Sequence, residues 1–479
     1  MTTVTEAPPA PGGTTAVGAS VPRVDALAKA QGRLGYTGDW HLPGLLEVAV
    51  ARATRPHARL RAVDVAPALE MAGVVTVVTG EDLEAALGER HRTGPAFHDQ
   101  PILATDRVRY HGEPVAAVVA TDARTARRAA AAIVIDYEDL DPVLDVQAAI
   151  AGGPFVHDRL RPASVFGDLA HLRGQEATNV CYEFTLRSGE VAAALGGAAH
   201  VLEGTFWNPP VHHVPMELPC TLAWVEGDRL EVVSATQTPS YVRQSLGGVL
   251  ELPLHRVRVR VPHLGGGFGS KMYDRLEPLV AVLAWRLQRP VRFGLTREEA
   301  FLLITRHGVA VRFRLGADHA GRLLAMDAEV AYDTGAYADI GPRIAAKSGM
   351  VATGPYRAEA VAITSRCVYT NKPSAGAFRG FGVPQVVWAH ECMVDDLART
   401  LGRDPYEWRR EQLLGEGDEH PVGTPMHSAD TLGCLDRVAE ALDWSTPLDR
   451  GTDRVARGRG VAVGLKAVLT PTISGAVVQ

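Results

Sequence analysis

The chain has 479 residues, 46% of them hydrophobic and 22% charged, with a formal net charge of -6; it is longer than one hydrophobic core usually supports, so two or more domains are expected. No long basic run points to a nucleic-acid partner, and no apolar stretch is long enough to span a membrane. The N-terminus lacks a basic segment followed by an apolar core, so the chain is expected to be cytoplasmic and not exported.

Residues 1–21 are rich in Thr, Pro, Gly and Ala without periodicity and are expected to form a disordered tail. From 22 to 146, short β-rich runs alternate with helical ones. Residues 113–120 predict a strand, Asp122 caps an Ala/Arg-rich helix, and 133–137 return as strand, which together make a compact α/β unit. A less regular stretch, 147–190, carries Gly152-Gly153-Pro154 and Gly174 and is expected to be a linker. Strand-like segments then follow at 222–224, 230–235, 257–261, 291–295 and 309–315, interleaved with helices, in a domain expected over 191–430.

Two glycine loops, Gly265-Gly266-Gly267-Phe268-Gly269-Ser270-Lys271 and Ala377-Phe378-Arg379-Gly380-Phe381-Gly382, each open onto a helical pattern. After the first, Asp274 and Glu277 read as a capping box, Leu276, Val280, Leu283 and Leu287 recur at helical spacing, and Pro290 ends the run. After the second, Val386, His390, Met393, Leu397 and Leu401 keep that period until Gly402, a C′ residue. Glycine runs let backbone N–H groups approach a ligand, and a helix N-terminus adds positive potential, so each loop is a candidate anion cradle. Plain turns use glycine too, but they do not require an aromatic between glycines with a cation nearby, as in Phe268 with Lys271 and Phe381 with Arg379. Neither loop is a nucleotide signature: Ser270 stands where G-x-G-x-x-G needs glycine, and no P-loop motif occurs.

Other groups read more plainly. Cys181, Cys220, Cys367, Cys392 and Cys434 are widely separated with no C-x-x-C pair, which argues against zinc or an iron–sulfur cluster held by this chain, and each is expected as a small buried apolar residue. His212 and His213 are adjacent on an extended segment and point opposite ways, so they do not share a metal. Glu217 reads as a polar group near a pocket entrance or as a buried ion-pair partner. Glu298 and Glu299, after Thr296, read as a helix N-terminal turn.

The chain resembles the molybdopterin-binding subunit of the xanthine dehydrogenase and aldehyde oxidase family, the molybdenum hydroxylases. The resemblance is carried in order by Arg109-Tyr110-His111-Gly112-Glu113-Pro114-Val115-Ala116, Asp136-Tyr137-Glu138, His213-Val214-Pro215-Met216-Glu217, Thr236-Gln237-Thr238-Pro239, the first glycine loop, Thr296-Arg297-Glu298-Glu299, Asp333-Thr334-Gly335-Ala336-Tyr337, the second loop with Pro384-Gln385, and Leu401-Gly402-Arg403-Asp404-Pro405. It implies an α+β / α/β architecture: an α/β hammerhead domain followed by the first half of a molybdopterin-binding region of mixed sheets and helices, with 431–479 beginning a second such domain. The implied cofactor is a molybdenum–pterin group, as molybdopterin or its cytosine dinucleotide form, with no direct protein ligand to the metal. By position, Gln237 would donate its amide to a molybdenum oxo group, Gly266, Gly267, Phe268 and Gly269 would line the metal and pterin, and Arg379 would bind the group from the other side.

The resemblance also implies a substrate pocket at Met272, Lys347 and Phe381. Phe381 takes the place of a phenylalanine that packs on flat heteroaromatic substrates. Met272 and Lys347 replace a glutamate and an arginine of the purine oxidisers, which weakens an assignment to xanthine itself. Gly380 stands where carbon monoxide dehydrogenases carry a cysteine, which argues against a copper–molybdenum centre. The implied reaction hydroxylates a heteroaromatic or an aldehyde with water-derived oxygen, while electrons leave to [2Fe-2S] and FAD centres on partner subunits. The family's general-base glutamate lies beyond the matched stretch, so no catalytic residue is carried over. The sequence is expected to be a fragment, a split gene completed by a second polypeptide, or an inactive relic.

Overall fold

The computed structural model describes residues 18–160 and 177–466. Most of the expected tail and the position of Gly174 lie outside these residues. Two sheets dominate. A seven-stranded sheet runs in the order Val257–Arg260, Arg229–Ser234, Cys220–Glu226, Val291–Gly294, Leu46–Arg52, Pro114–Ala120, Val74–Thr79. Its centre joins two distant parts of the chain, because Leu46 and Glu47 pair in parallel with Val291 and Arg292. A five-stranded sheet runs His200–Asn208, Gly308–Ala317, Leu323–Gly335, Ala360–Tyr369, Val180–Ser188. Its one parallel pair, Leu323–Gly335 with Ala360–Tyr369, is joined by a crossover holding the helix Gly341–Met350.

Alternation along the strands fills both faces of the larger sheet. Ala117 and Val119 face the core that holds the helix Glu277–Leu287, while Ala116, Val118 and Ala120 face Ala126, Ala129 and Ala130 of the helix Ala123–Ala132. Asp122 caps that last helix by accepting from the Thr125 N–H. The largest core lies on the five-stranded sheet, where Val386, Met393 and Leu397 of the helix Val383–Thr400 and the buried Trp408 pack. That helix stops at Thr400, and Gly402 follows in the left-handed region at φ 69°. Among the described residues no helix is long and apolar enough to cross a membrane.

Three expectations are corrected. The helix after the first loop starts at Glu277, not behind an Asp274 cap. A start at residue 275 would put Pro278 at the fourth helical position, where its missing N–H is needed. Glu277 instead turns its carboxylate back to accept from the Arg275 and Leu276 N–H groups and from Ser234, and Asp274 accepts from Ser245. The stretch expected as linker contains the strand Val180–Ser188, whose pairing to Ala360–Tyr369 outweighs its weak local pattern. Of the cysteines, Cys181, Cys220 and Cys367 are buried, but Cys392 is half-buried and Cys434 exposed, since the helix Thr431–Ala441 buries Leu435 and Ala439 instead.

The two sheet regions are stitched by buried polar groups. Asn371 accepts from the Val143 N–H and donates to the Arg109 carbonyl. Asp99 accepts from the Ala338 N–H and the Tyr369 hydroxyl, both at 2.8 Å. Burial pushes the Asp99 carboxyl up to about 7 against these two donors. The unfolded group ionises near 3.8, so between these values the folded chain binds the extra proton and stability falls as pH rises. Asp99→Asn should therefore flatten the loss of stability between pH 4 and pH 7, read from denaturant midpoints across that range.

Candidate functional site

The two glycine loops meet. The first follows the edge strand of the seven-stranded sheet, and the second follows Ala375–Gly376, which pairs in parallel with Thr305–Arg306. At the junction the Arg379 N–H donates to the Phe268 carbonyl at 2.9 Å. Gly269 lies so close to the second loop that a Cβ would stand 2.2 Å from the Ala377 carbonyl oxygen. Glycine is therefore obligatory there on space as well as on its φ of 113°. Phe268 and Phe381 both sit at φ 56°, a costly conformation for an aromatic residue that the flanking glycines and the junction impose.

The donors of the first loop divide into spent and free ones. The Gly265 N–H donates to Glu217, the Gly269 N–H to the Gln237 side-chain oxygen at 2.9 Å, and the Ser270 N–H to the Gly267 carbonyl. The N–H groups of Gly266, Gly267 and Phe268 have no acceptor among the described residues. Successive backbone amides without a partner are able to bind an anion. With its oxygen held by Gly269, the exposed Gln237 keeps its amide N–H groups for a ligand. Arg379 is exposed, and its guanidinium engages no carboxylate or carbonyl among the described residues. Gln237 itself is held by its N–H donating to the Lys271 carbonyl at 2.7 Å. Gly266, Gly267, Phe268, Gln237 and Arg379 are thus gathered at one junction, whereas the Gly269 N–H is turned inward.

Lys271 plays a different part from the one its place in the loop suggests. Its ammonium is buried and paired with the Glu217 carboxylate at 2.7 Å, so its charge is neutralised inside the fold. Burial pulls the Lys271 ammonium down from its ordinary range, opposed by Glu217. Of the two readings open for Glu217, the buried ion pair is present, and the residue also borders an open cleft. An open cleft of about 990 Å³ borders the first loop alone, lined by Tyr36, Glu217, Gly265, Gly266 and Phe268. Arg379, Gln237 and Phe381 lie outside its lining.

Of the three residues expected at a substrate pocket, Lys347 lies on the helix Gly341–Met350. In Gly341–Met350, Ile344 and Ser348 press on Gly382 of the second loop, while Arg343 reaches the Tyr273 hydroxyl beside Met272. Lys347 stands one turn after Arg343 on the same helix. Met272 and Phe381 are half-buried against the same core. Thr296 caps Arg297–Leu303 with a capping box to Glu299, as the sequence indicates.

His213 was not legible as a site residue. Buried, its Nε2–H donates to the Ala377 carbonyl at 2.7 Å and its ring stacks on Phe378, with centroids 4.4 Å apart. Burial lowers it to about 4, so it is neutral and fixed in that tautomer. It braces the second loop from the strand side. Among the described residues no group of three or more metal-ligating side chains gathers. The donor set at the junction, amides, a carboxamide and a guanidinium without a partner among the described residues, fits an anion.

Gly269→Ala should cost about 2–4 kcal/mol of folding stability, because both space and φ oppose a methyl group. Gly458→Ala, where a Cβ meets nothing within 4 Å, should stay near wild type in the same denaturant titration.

Residues 172–413 match the molybdopterin cofactor-binding domain, and residues 31–141 match the a/b hammerhead domain of aldehyde oxidase and xanthine dehydrogenase. The chain is 34% identical over 453 residues to the xanthine dehydrogenase molybdenum-binding subunit of Escherichia coli O157:H7, covering 92% of this chain but 58% of that protein. It is 33% identical to the nicotinate dehydrogenase large molybdopterin subunit of Eubacterium barkeri, covering 88% of this chain and 93% of that subunit. Quinoline 2-oxidoreductase from Pseudomonas putida 86 superposes with a TM-score of 0.80 at 31% identity, over 89% of this chain and 54% of its own. The expected architecture, a hammerhead domain followed by a molybdopterin-binding region, is present. The chain belongs to the xanthine dehydrogenase and aldehyde oxidase family, the molybdenum hydroxylases.

Proposed function

We propose that this chain is the molybdopterin-binding catalytic subunit of a molybdenum hydroxylase that oxidises a purine or another N-heterocycle with oxygen derived from water. The meeting of the two loops, with free N–H groups at Gly266, Gly267 and Phe268 beside the unpaired Arg379, carries this reading. When bound, the molybdenum–pterin group supplies the redox centre. The chain's part is to hold and orient it. The three amides and the Gln237 carboxamide donate from one side, Arg379 from the other, and Phe381 offers a face on which a flat ring packs.

The cofactor is molybdopterin or its cytosine dinucleotide form, and electrons pass to [2Fe-2S] and FAD centres on partner subunits in the cytoplasm. Met272 and Lys347, in place of a glutamate and an arginine, favour a ring other than xanthine, and Lys347 would meet it as a point charge. Aldehyde oxidation is the alternative within the family, and a non-catalytic remnant is the alternative outside it.

Metal analysis of the purified complex, with turnover on hypoxanthine, nicotinate and benzaldehyde, tests the reading. Molybdenum with turnover of a heterocycle is expected; turnover of benzaldehyde alone selects the aldehyde alternative, and a complex without molybdenum or turnover selects the remnant. Arg379→Ala removes a charge-assisted donor and should lower molybdenum content about tenfold. Full molybdenum content in that variant would remove Arg379 from the site.

A further inference from the structure

One carboxylate oxygen ties the two ends of the first loop together. Glu217 Oε2 accepts from the Gly265 N–H at 2.8 Å and from the Lys271 ammonium at 2.7 Å. The backbone adds a return bond, the Glu217 N–H donating to the Gly265 carbonyl at 3.1 Å. Gly265 sits so tightly that a Cβ would stand 2.4 Å from the Glu217 Cβ. The side chains are nearly inaccessible, 9% exposed for Glu217 and 1% for Lys271. The chain of contacts continues, because the Lys271 carbonyl accepts from the Gln237 N–H and Thr236 hydroxyl, and Gln237 accepts from Gly269.

We infer that Glu217 is a positioning residue, a strap that closes the first loop across Gly265 and Lys271 and so keeps the N–H groups of Gly266, Gly267 and Phe268 without a partner inside the fold. It has a second effect. By holding the Lys271 ammonium inside, it leaves the amides, Gln237 and Arg379 as the donors that meet an anion. A buried pair of this kind is a weak source of stability but a strict geometric constraint, and removing one partner leaves the other charge uncompensated. The inference rests on the cofactor reading above for its consequence, though not for the strap itself.

Three variants of the complex test it: Glu217→Ala, Glu217→Gln, and Glu217→Gln with Lys271→Met. Hydrogen exchange is read at the Gly265, Gly269 and Ser270 amides and, for comparison, at Phe381 in the second loop and Val383 at the start of the helix after it. Molybdenum content and the Mo(V) resonance signal are read in parallel. In Glu217→Ala, exchange in the first loop should rise about tenfold with the second loop unchanged, as expected for local opening. Molybdenum content should fall by a similar factor, with a shifted signal in the remainder. Glu217→Gln alone should resemble the alanine variant, because it strands the Lys271 charge. The double variant keeps an acceptor for Gly265 without a buried charge and should recover both readouts towards wild type. Wild-type exchange in Glu217→Ala, or an equal rise in both loops, overturns the strap. A rise confined to the first loop, in a complex whose wild-type form lacks molybdenum, upholds the strap and overturns the cofactor reading.

Discussion

Everything at the candidate site depends on one close approach, that of Gly269 to the backbone of Ala377 and Phe378. A Cβ at Gly269 would overlap the Ala377 carbonyl, so the absence of a side chain lets two loops from different sheets touch. The contact is reinforced where the Arg379 N–H meets the Phe268 carbonyl, and where His213 holds the Ala377 carbonyl from behind. Two aromatic residues with positive φ record what this geometry costs. Such strain persists only where the surroundings over-determine it. Here helix Gly341–Met350 presses on Gly382, and Tyr332 donates to the Gly382 carbonyl.

Charge is distributed with a clear division. In the interior, cations are paired: Lys271 with Glu217, Arg275 with Asp339, and Arg409 with Glu391 and Asp395. Burial would push the Glu391 carboxyl up, but His390 and Arg409 outweigh it and hold the group near 2. At the loop junction the pattern differs: three amides and the Arg379 guanidinium have no partner among the described residues. Donors with no partner in the fold are open to an anion that arrives from outside.

Much of the site was legible before the fold. Glycine runs with flanking aromatics marked both loops, and helical periodicity placed the two helices after them, because those signals are local. What failed was also local evidence read without context. Asp274 and Glu277 carry capping-box spacing, yet Pro278 fixes the helix start and turns Glu277 into its own cap. Lys271 looked like a partner for the anion because it neighbours the glycines, but its counter-ion, Glu217, lies far back in the chain. The strand Val180–Ser188 has a faint pattern and is fixed by its partner Ala360–Tyr369.

The sequence by itself determined the family, the order of elements, and the residue types from which a cradle for a large anion can be made. Those are set by short-range spacing and by the glycines that backbone sterics demand. Only the tertiary structure decided which donors are free and which are spent. Long-range pairing, Leu46–Arg52 against Val291–Gly294 within one sheet and Thr305–Arg306 against Ala375–Gly376 beside the other, brings the loops together. A hydrogen-bond donor is available only when nothing nearby accepts from it, and what lies nearby is a property of the folded chain.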